Sequence, residues 1–147
     1  MKKTIVMTAM IVAMAMMPAN TWSRDRGVKD ELTKTECGAC HMVFQPRFLP
    51  AVSWTNIMSD LGNHFGEDAS LDEESRTKIE AYLVKNARKK EFKYIGNGTQ
   101  PIRITEIRWF KREHRNEVSK RAMKRAGTMA NCVACHKGAE KGQYDDD

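Results

Sequence analysis

Apolar residues recur along this chain at three- and four-residue spacing, the period of amphipathic helices rather than of strands. Asp30 to Cys40 predicts a short helix, after which Pro46 and Pro50 break the regular backbone because proline lacks the amide donor a helix needs. Phe48 and Leu49 lie between the two prolines as candidates to cover a bound group. Ser53 is a good N-cap residue. Beyond it Trp54, Ile57, Met58 and Leu61 fall at i, i+3, i+4 and i+7 on one apolar face, with Gly62 as the expected C-cap. His64 and Phe65 follow in a turn closed by Gly66. Ser70-Leu71-Asp72-Glu73 has the spacing of a capping box and predicts a helix to about Ala87, with Ile79, Tyr82 and Leu83 on one face. Basic residues in its last turns suit the helix dipole. This helix is expected to pack on the one before Cys37.

Gly96-Asn97-Gly98-Thr99-Gln100-Pro101 is the clearest break in the pattern and reads as a linker. It divides the chain into an N-terminal unit, 24–95, and a C-terminal unit, 96–147. In the second unit Ile104, Ile107, Phe110 and His114 share one helical stripe, with a cap near Thr105, and Trp109 adds aromatic bulk. A further helix, about Glu117 to Met129, leads into Cys132. The last ten residues are polar and are expected to be loose. The fold class is therefore mostly α, in two small helical domains.

The first residues have a different character. Lys2 and Lys3 precede Thr4 to Met17, an apolar run of fourteen residues, which is too short for a membrane span and matches a secretory signal. Cleavage is expected near Ala19 or Ser23, so residues 1–23 are assigned to a signal peptide. No other segment is apolar enough to span a bilayer, so the processed chain is not expected to be an integral membrane protein. Six of the ten methionines lie in this leader, and methionine abundance therefore says nothing about the mature fold. The formal charge of +6 falls to +4 once Lys2 and Lys3 leave. The basic residues are unevenly placed, with fourteen Lys and Arg against four Glu in residues 85–125. A face of this kind steers an acidic partner or meets an anionic surface.

The chemistry lies in the cysteines and histidines. The chain has four of each, and two Cys-x-x-Cys-His motifs plus two further histidines account for all of them. The motifs are Cys37-Gly-Ala-Cys40-His41 and Cys132-Val-Ala-Cys135-His136. This is the attachment signature of c-type haem: the cysteines form thioethers with the porphyrin and the histidine becomes an axial iron ligand. A four-cysteine zinc site and a two-disulfide secreted domain are the rivals. Neither explains a histidine directly after both second cysteines. His64 and His114 would supply the opposite faces of two irons. His41 precedes His64 by 23 positions and His114 precedes His136 by 22. That order pairs His41 with His64 and His136 with His114, although crossed pairing is open. Met58 and Met129 are alternative sixth ligands. Two haems, with four propionates, bring the oxidised protein to about +2, so nucleic-acid binding is not needed to explain the basicity. The porphyrins would also supply much of the apolar core.

Glu36-Cys-Gly-Ala-Cys-His41, Leu49-Pro50, Ser53-Trp54, His64-Phe65-Gly66 and Ala69-Ser70-Leu71-Asp72 resemble the first haem domain of the dihaem cytochrome c family of proteobacteria. Arg103-Ile104-Thr105-Glu106, Trp109-Phe110 and Arg112-Glu113-His114-Arg115 resemble the helix of its second domain, and Asn131-Cys132 to Lys137-Gly138-Ala139-Glu140 its second haem site. The first unit resembles a minimal class I cytochrome c. The resemblance implies two covalently bound haem c groups, with His41 and His136 as proximal ligands and His64 and His114 as distal ones. It also implies a periplasmic electron carrier, not an enzyme. The implied partners are a membrane b-type cytochrome as donor and a monohaem, oxygen-binding c-type cytochrome as acceptor. Closed irons with imidazole on both faces imply low-spin, low-potential centres, since thioether ligation is what raises the potential. The alternative is a haem-based ligand-binding, sensor or reductase protein in which one distal histidine is labile.

Overall fold

The computed structural model of the chain describes residues 26–92 and 100–144. The segment expected to be a signal peptide, most of the expected linker and Asp145 to Asp147 lie outside the described residues. The described residues form five α-helices joined by short 3-10 turns, with isolated bridges in place of any strand. None of these helices is long and apolar enough to cross a membrane.

Helix α1 (Glu31–Cys37) opens at Asp30, whose carboxylate accepts from both the Thr33 amide, at 2.9 Å, and its hydroxyl, at 2.7 Å. A 3-10 turn at Pro46–Phe48 leads into α2 (Ala51–Met58). Pro50, not Ser53, occupies the N-cap position of α2, because its extended backbone already breaks the helix there. Ser53 lies inside the first turn and is buried, with no hydrogen-bond partner for its hydroxyl. The end of α2 also differs from expectation. It closes at Ser59, and Gly62 lies within a separate 3-10 turn, Leu61–Asn63.

Helix α3 (Glu73–Lys85) is capped by Asp72, which accepts from the Ser75 amide at 2.9 Å. The Ser70 box therefore starts two residues early; the Ser70 amide instead donates to Asp68. Ile79 and Leu83 face inward from α3, which packs on both α2 and α1.

In the second half a 3-10 turn, Ile104–Glu106, precedes α4 (Arg108–His114), whose N-cap is Ile107 rather than Thr105. Helix α5 (Lys120–Ala126) starts at Ser119, which accepts from the Ala122 amide at 3.1 Å.

The main apolar cluster holds Leu49, Trp54, Met58, Ile79 and Leu83 from the first half and Ile107 and Phe110 from the second. The halves thus share a core. The second half also sends a strap to the first. The segment after His136 is not loose as far as Tyr144: it turns at Ala139–Lys141 and docks on the first half. Gln45 Nε2 donates to the Ala139 carbonyl at 3.0 Å, Arg47 donates to that of Gly142 at 3.2 Å, and the Arg26 amide donates to that of Lys141 at 2.9 Å. The Tyr144 hydroxyl donates to Gln45 Oε1. Polar composition misled here, because the segment is held largely by hydrogen bonds to its backbone, with Ala139 buried and the Tyr144 ring packed on Phe48. Phe48, expected to cover the first centre, packs against Trp109 and Tyr144 of the second half instead. Leu49 lies in the shared core, 1 % exposed.

Candidate functional site

The two motifs are presented by different local structures. In the first, α1 ends on Cys37, and the Gly38 amide closes the helix on the Lys34 carbonyl at 3.0 Å. Cys40 and His41 lie in the turn beyond. A side chain at Gly38 would place its Cβ 2.2 Å from the Lys34 carbonyl oxygen, so this residue must be glycine for the motif to leave the helix as it does. In the second motif Cys132–Ala134 is itself a 3-10 turn, tightened by the His136 amide donating to the Cys132 carbonyl at 2.8 Å.

The sequence order of histidines is matched in space. His41 and His64 lie with ring centroids 6.2 Å apart and planes 22° from parallel. His114 and His136 lie 6.1 Å apart with planes at 86°. A histidine nitrogen sits about 2.0–2.1 Å from a transition-metal ion. Adding the depth of each ring, two imidazoles on opposite faces of one iron have centroids about 6.3 Å apart. Both pairs have that separation.

Hydrogen bonds set the tautomers of two of these rings. His41 Nδ1 lies 2.7 Å from the Met42 carbonyl, and His114 Nδ1 lies 2.9 Å from the Phe110 carbonyl. A carbonyl only accepts, so each Nδ1 donates a proton and Nε2 is the nitrogen left to meet a ligand. This is the orientation that second-shell acceptors impose on metal-bound histidine. Phe110 also stacks on His114, with centroids 4.0 Å apart. His136 Nδ1 is buried without a hydrogen-bond partner, and the Tyr144 ring lies edge-on to it at 5.7 Å. Burial is the main cause that lowers the His64 pKa, with His41 and Arg103 adding to it, which favours the neutral ring.

The cysteines fit attachment better than the rival readings. All four carry free thiols. Burial, helped by the Glu36 and Asp30 carboxylates, pushes the Cys37 thiol up to about 11. Burial likewise raises Cys132. Among the described residues no three Cys, His, Asp or Glu side chains gather to hold an ion, so the four cysteines do not converge on one zinc. Of the two alternative ligands, Met58 is buried in the shared core and Met129 packs against it.

Three residues around the sites were not singled out from sequence. Tyr144 and Gln45 tie the second centre to the first half, and Arg103 reaches the turn that bears His64. An aromatic residue in an otherwise polar tail was the one signal for Tyr144. Burial pushes the Tyr144 hydroxyl pKa upward, so it remains a donor.

The sequence profile of the dihaem cytochrome c family matches residues 33–144. Solved structures agree. A crystal structure of DHC purified from Rhodobacter sphaeroides is 57% identical, with a TM-score of 0.71, covering 79% of this chain and 97% of that one. A diheme cytochrome c from Rhodobacter sphaeroides is 53% identical, with a TM-score of 0.73 and the same shares covered, 79% and 97%. A diheme cytochrome type c from Shewanella baltica is 38% identical, with a TM-score of 0.66, covering 78% of this chain and 85% of that one. No curated protein sequence matches the chain.

Proposed function

We propose a function from one premise: this chain belongs to the dihaem cytochrome c family, and so carries two covalently attached haem c groups in an electron-carrier fold. Cys37 and Cys40 hold one group, and Cys132 and Cys135 the other. His41 and His64 ligate the first iron, His136 and His114 the second. When bound, each haem supplies one iron that gains or loses a single electron. With an imidazole on both faces, neither iron keeps a position for substrate. The protein is therefore a carrier rather than a catalyst, and lacking a thioether ligand its centres have low potentials.

One observation supports this reading above the others: both histidine pairs are spaced for one iron, at 6.2 and 6.1 Å. The backbone acceptors on His41 and His114 add to it, because they hold Nε2 ready before the ligand bond forms. In our reading 24–95 and 96–147 each organise one haem and share the core described above.

Proteins of this family are typically exported, and the N-terminal pattern makes the periplasm the proposed location. The proposed donor is a membrane b-type cytochrome, and the acceptor a monohaem, oxygen-binding c-type cytochrome. The cations of α5 favour an acidic partner. On α3, Arg76 and Lys78 are neutralised by Glu73, Glu74 and Glu80 in pairs of 2.5–2.7 Å. Lys120, Arg121, Lys124 and Arg125 on α5 are exposed and make no ion pair among the described residues. Uncompensated like charge of this kind speeds encounter with the opposite sign.

The test is carbon monoxide added to the fully reduced holoprotein. On mixing, an unchanged visible spectrum is expected, with both irons closed by His64 and His114 and carbon monoxide entering only as slowly as a distal histidine lets go. A shifted spectrum at one iron would instead mean a labile distal ligand, and the function would turn to ligand binding or catalysis.

A further inference from the structure

His64 begins a tight turn. Its amide donates to the Glu67 carbonyl at 2.8 Å, and the Glu67 amide returns to the His64 carbonyl at 3.3 Å. The two residues between, Phe65 and Gly66, both have positive φ, 59° and 105°. Two consecutive positive φ values mark a type I′ turn, whose central positions favour Asn, Asp and Gly. Gly66 fits that rule. Phe65 does not, and it is the one non-glycine residue with positive φ among the described residues. A bulky side chain in the left-handed region is a true outlier, and such strain persists only where surrounding contacts hold it.

The Phe65 ring makes two contacts. One is with the His64 imidazole, with ring centroids 4.7 Å apart. The other is with the Arg103 guanidinium, which lies over the ring, 4.0 Å from its centroid. Arg103 comes from the second half of the chain, just before the turn that leads to α4, and Glu106 lies 3.8 Å from its Nε. Phe65 therefore touches both Arg103 and His64.

We infer that Arg103 and Phe65 form a clamp in which the second half of the protein holds the distal histidine of the first centre on its iron. Both are positioning residues: neither touches the iron, and both act through His64. The clamp gives a reason for phenylalanine at a position where the turn alone would select Asn or Gly. The inference rests on the reading of His64 as a ligand, and the experiment separates the two.

The full-length holoprotein, with both haems attached and reduced, is mixed with carbon monoxide and followed by its visible spectrum. His64→Ala supplies the spectrum and rate of an opened first iron. Phe65→Asn gives the turn a residue it prefers and removes the ring, so the fold is kept while the clamp is lost. Arg103→Gln removes the cation from the ring. Each single variant is expected to take up carbon monoxide at the first iron roughly five- to tenfold faster than the wild type, the effect of losing a cation–π contact. The double variant should be no faster than either single one, and Phe65→Tyr should keep the wild-type rate. Single variants at the wild-type rate would overturn the clamp, as would effects that multiply in the double variant. A wild-type protein that binds carbon monoxide at the first iron as fast as His64→Ala would instead overturn His64 as ligand, and the clamp with it.

Discussion

Replacing Tyr144 by phenylalanine removes one hydroxyl and leaves one buried acceptor without its donor. Gln45 is 1 % exposed, and its two amide atoms are both committed, Oε1 to Tyr144 and Nε2 to the Ala139 carbonyl. Water cannot readily replace the lost donor at so closed a position. An unsatisfied buried acceptor costs about 1–3 kcal/mol. For a domain between about 100 and 150 residues, each kcal/mol corresponds to roughly 3–6 °C in thermal midpoint. Tyr144→Phe should therefore melt at least about 3 °C below the wild type. Tyr144→Ala should lose more, because the ring also packs on Phe48 and His136, at 5.4 and 5.7 Å. The assay is far-ultraviolet circular dichroism of the oxidised holoprotein with both haems attached, so that the cofactor is covalently present in folded and unfolded states alike. A Tyr144→Phe midpoint within about 1 °C of the wild type would refute the argument, since it would mean that solvent reaches Gln45 and the strap is not sealed.

Three further outcomes follow from the geometry. Gly38→Ala should destabilise the protein by about 1–3 kcal/mol, read by denaturant unfolding, because its Cβ would sit 2.2 Å from the Lys34 carbonyl oxygen. Hydrogen bonds from Ser75 hold the Asp72 carboxyl below its ordinary pKa. A depressed pKa means stability that is complete above the ordinary carboxylate range and is lost as pH falls through the folded value, so Asp72→Asn should flatten the acid side of a stability–pH profile; an unchanged slope would show that the cap carries no pH dependence. Replacing Lys120, Arg121, Lys124 and Arg125 by Gln should slow electron transfer to an acidic acceptor at low ionic strength and weaken its salt dependence, measured by stopped flow; equal rates in both proteins would move the docking surface elsewhere.

Much of the site was legible in the sequence because its chemistry is local. Cys-x-x-Cys-His is contiguous, and the apolar stripe from Ile107 to His114 already placed that histidine on the inner side of a helix. The order of the four histidines suggested the pairs that the fold brings together. Errors arose where tertiary context chose between similar signals. Ser53 and Ser70 are both good caps, yet Pro50 and Asp72 occupy the cap positions. The first is decided by proline's fixed backbone and the second by which side chain reaches the free amide. The docking of residues 138–144 was illegible for another reason. Gln45 and Arg47, its main partners, lie more than ninety positions away, and a segment that accepts hydrogen bonds through its backbone carbonyls carries no sign of them in its side chains.

The shared cluster of Leu49, Trp54, Met58, Ile79, Leu83, Ile107 and Phe110 has a consequence for how the protein matures. Each half lends the other part of its apolar interior, so a chain that has received only one cofactor lacks the means to finish either side. Such an intermediate would leave apolar surface open to proteases. Survival of the chain thus records that both attachment reactions were completed, and a single property, resistance to digestion, vouches for two separate chemical events.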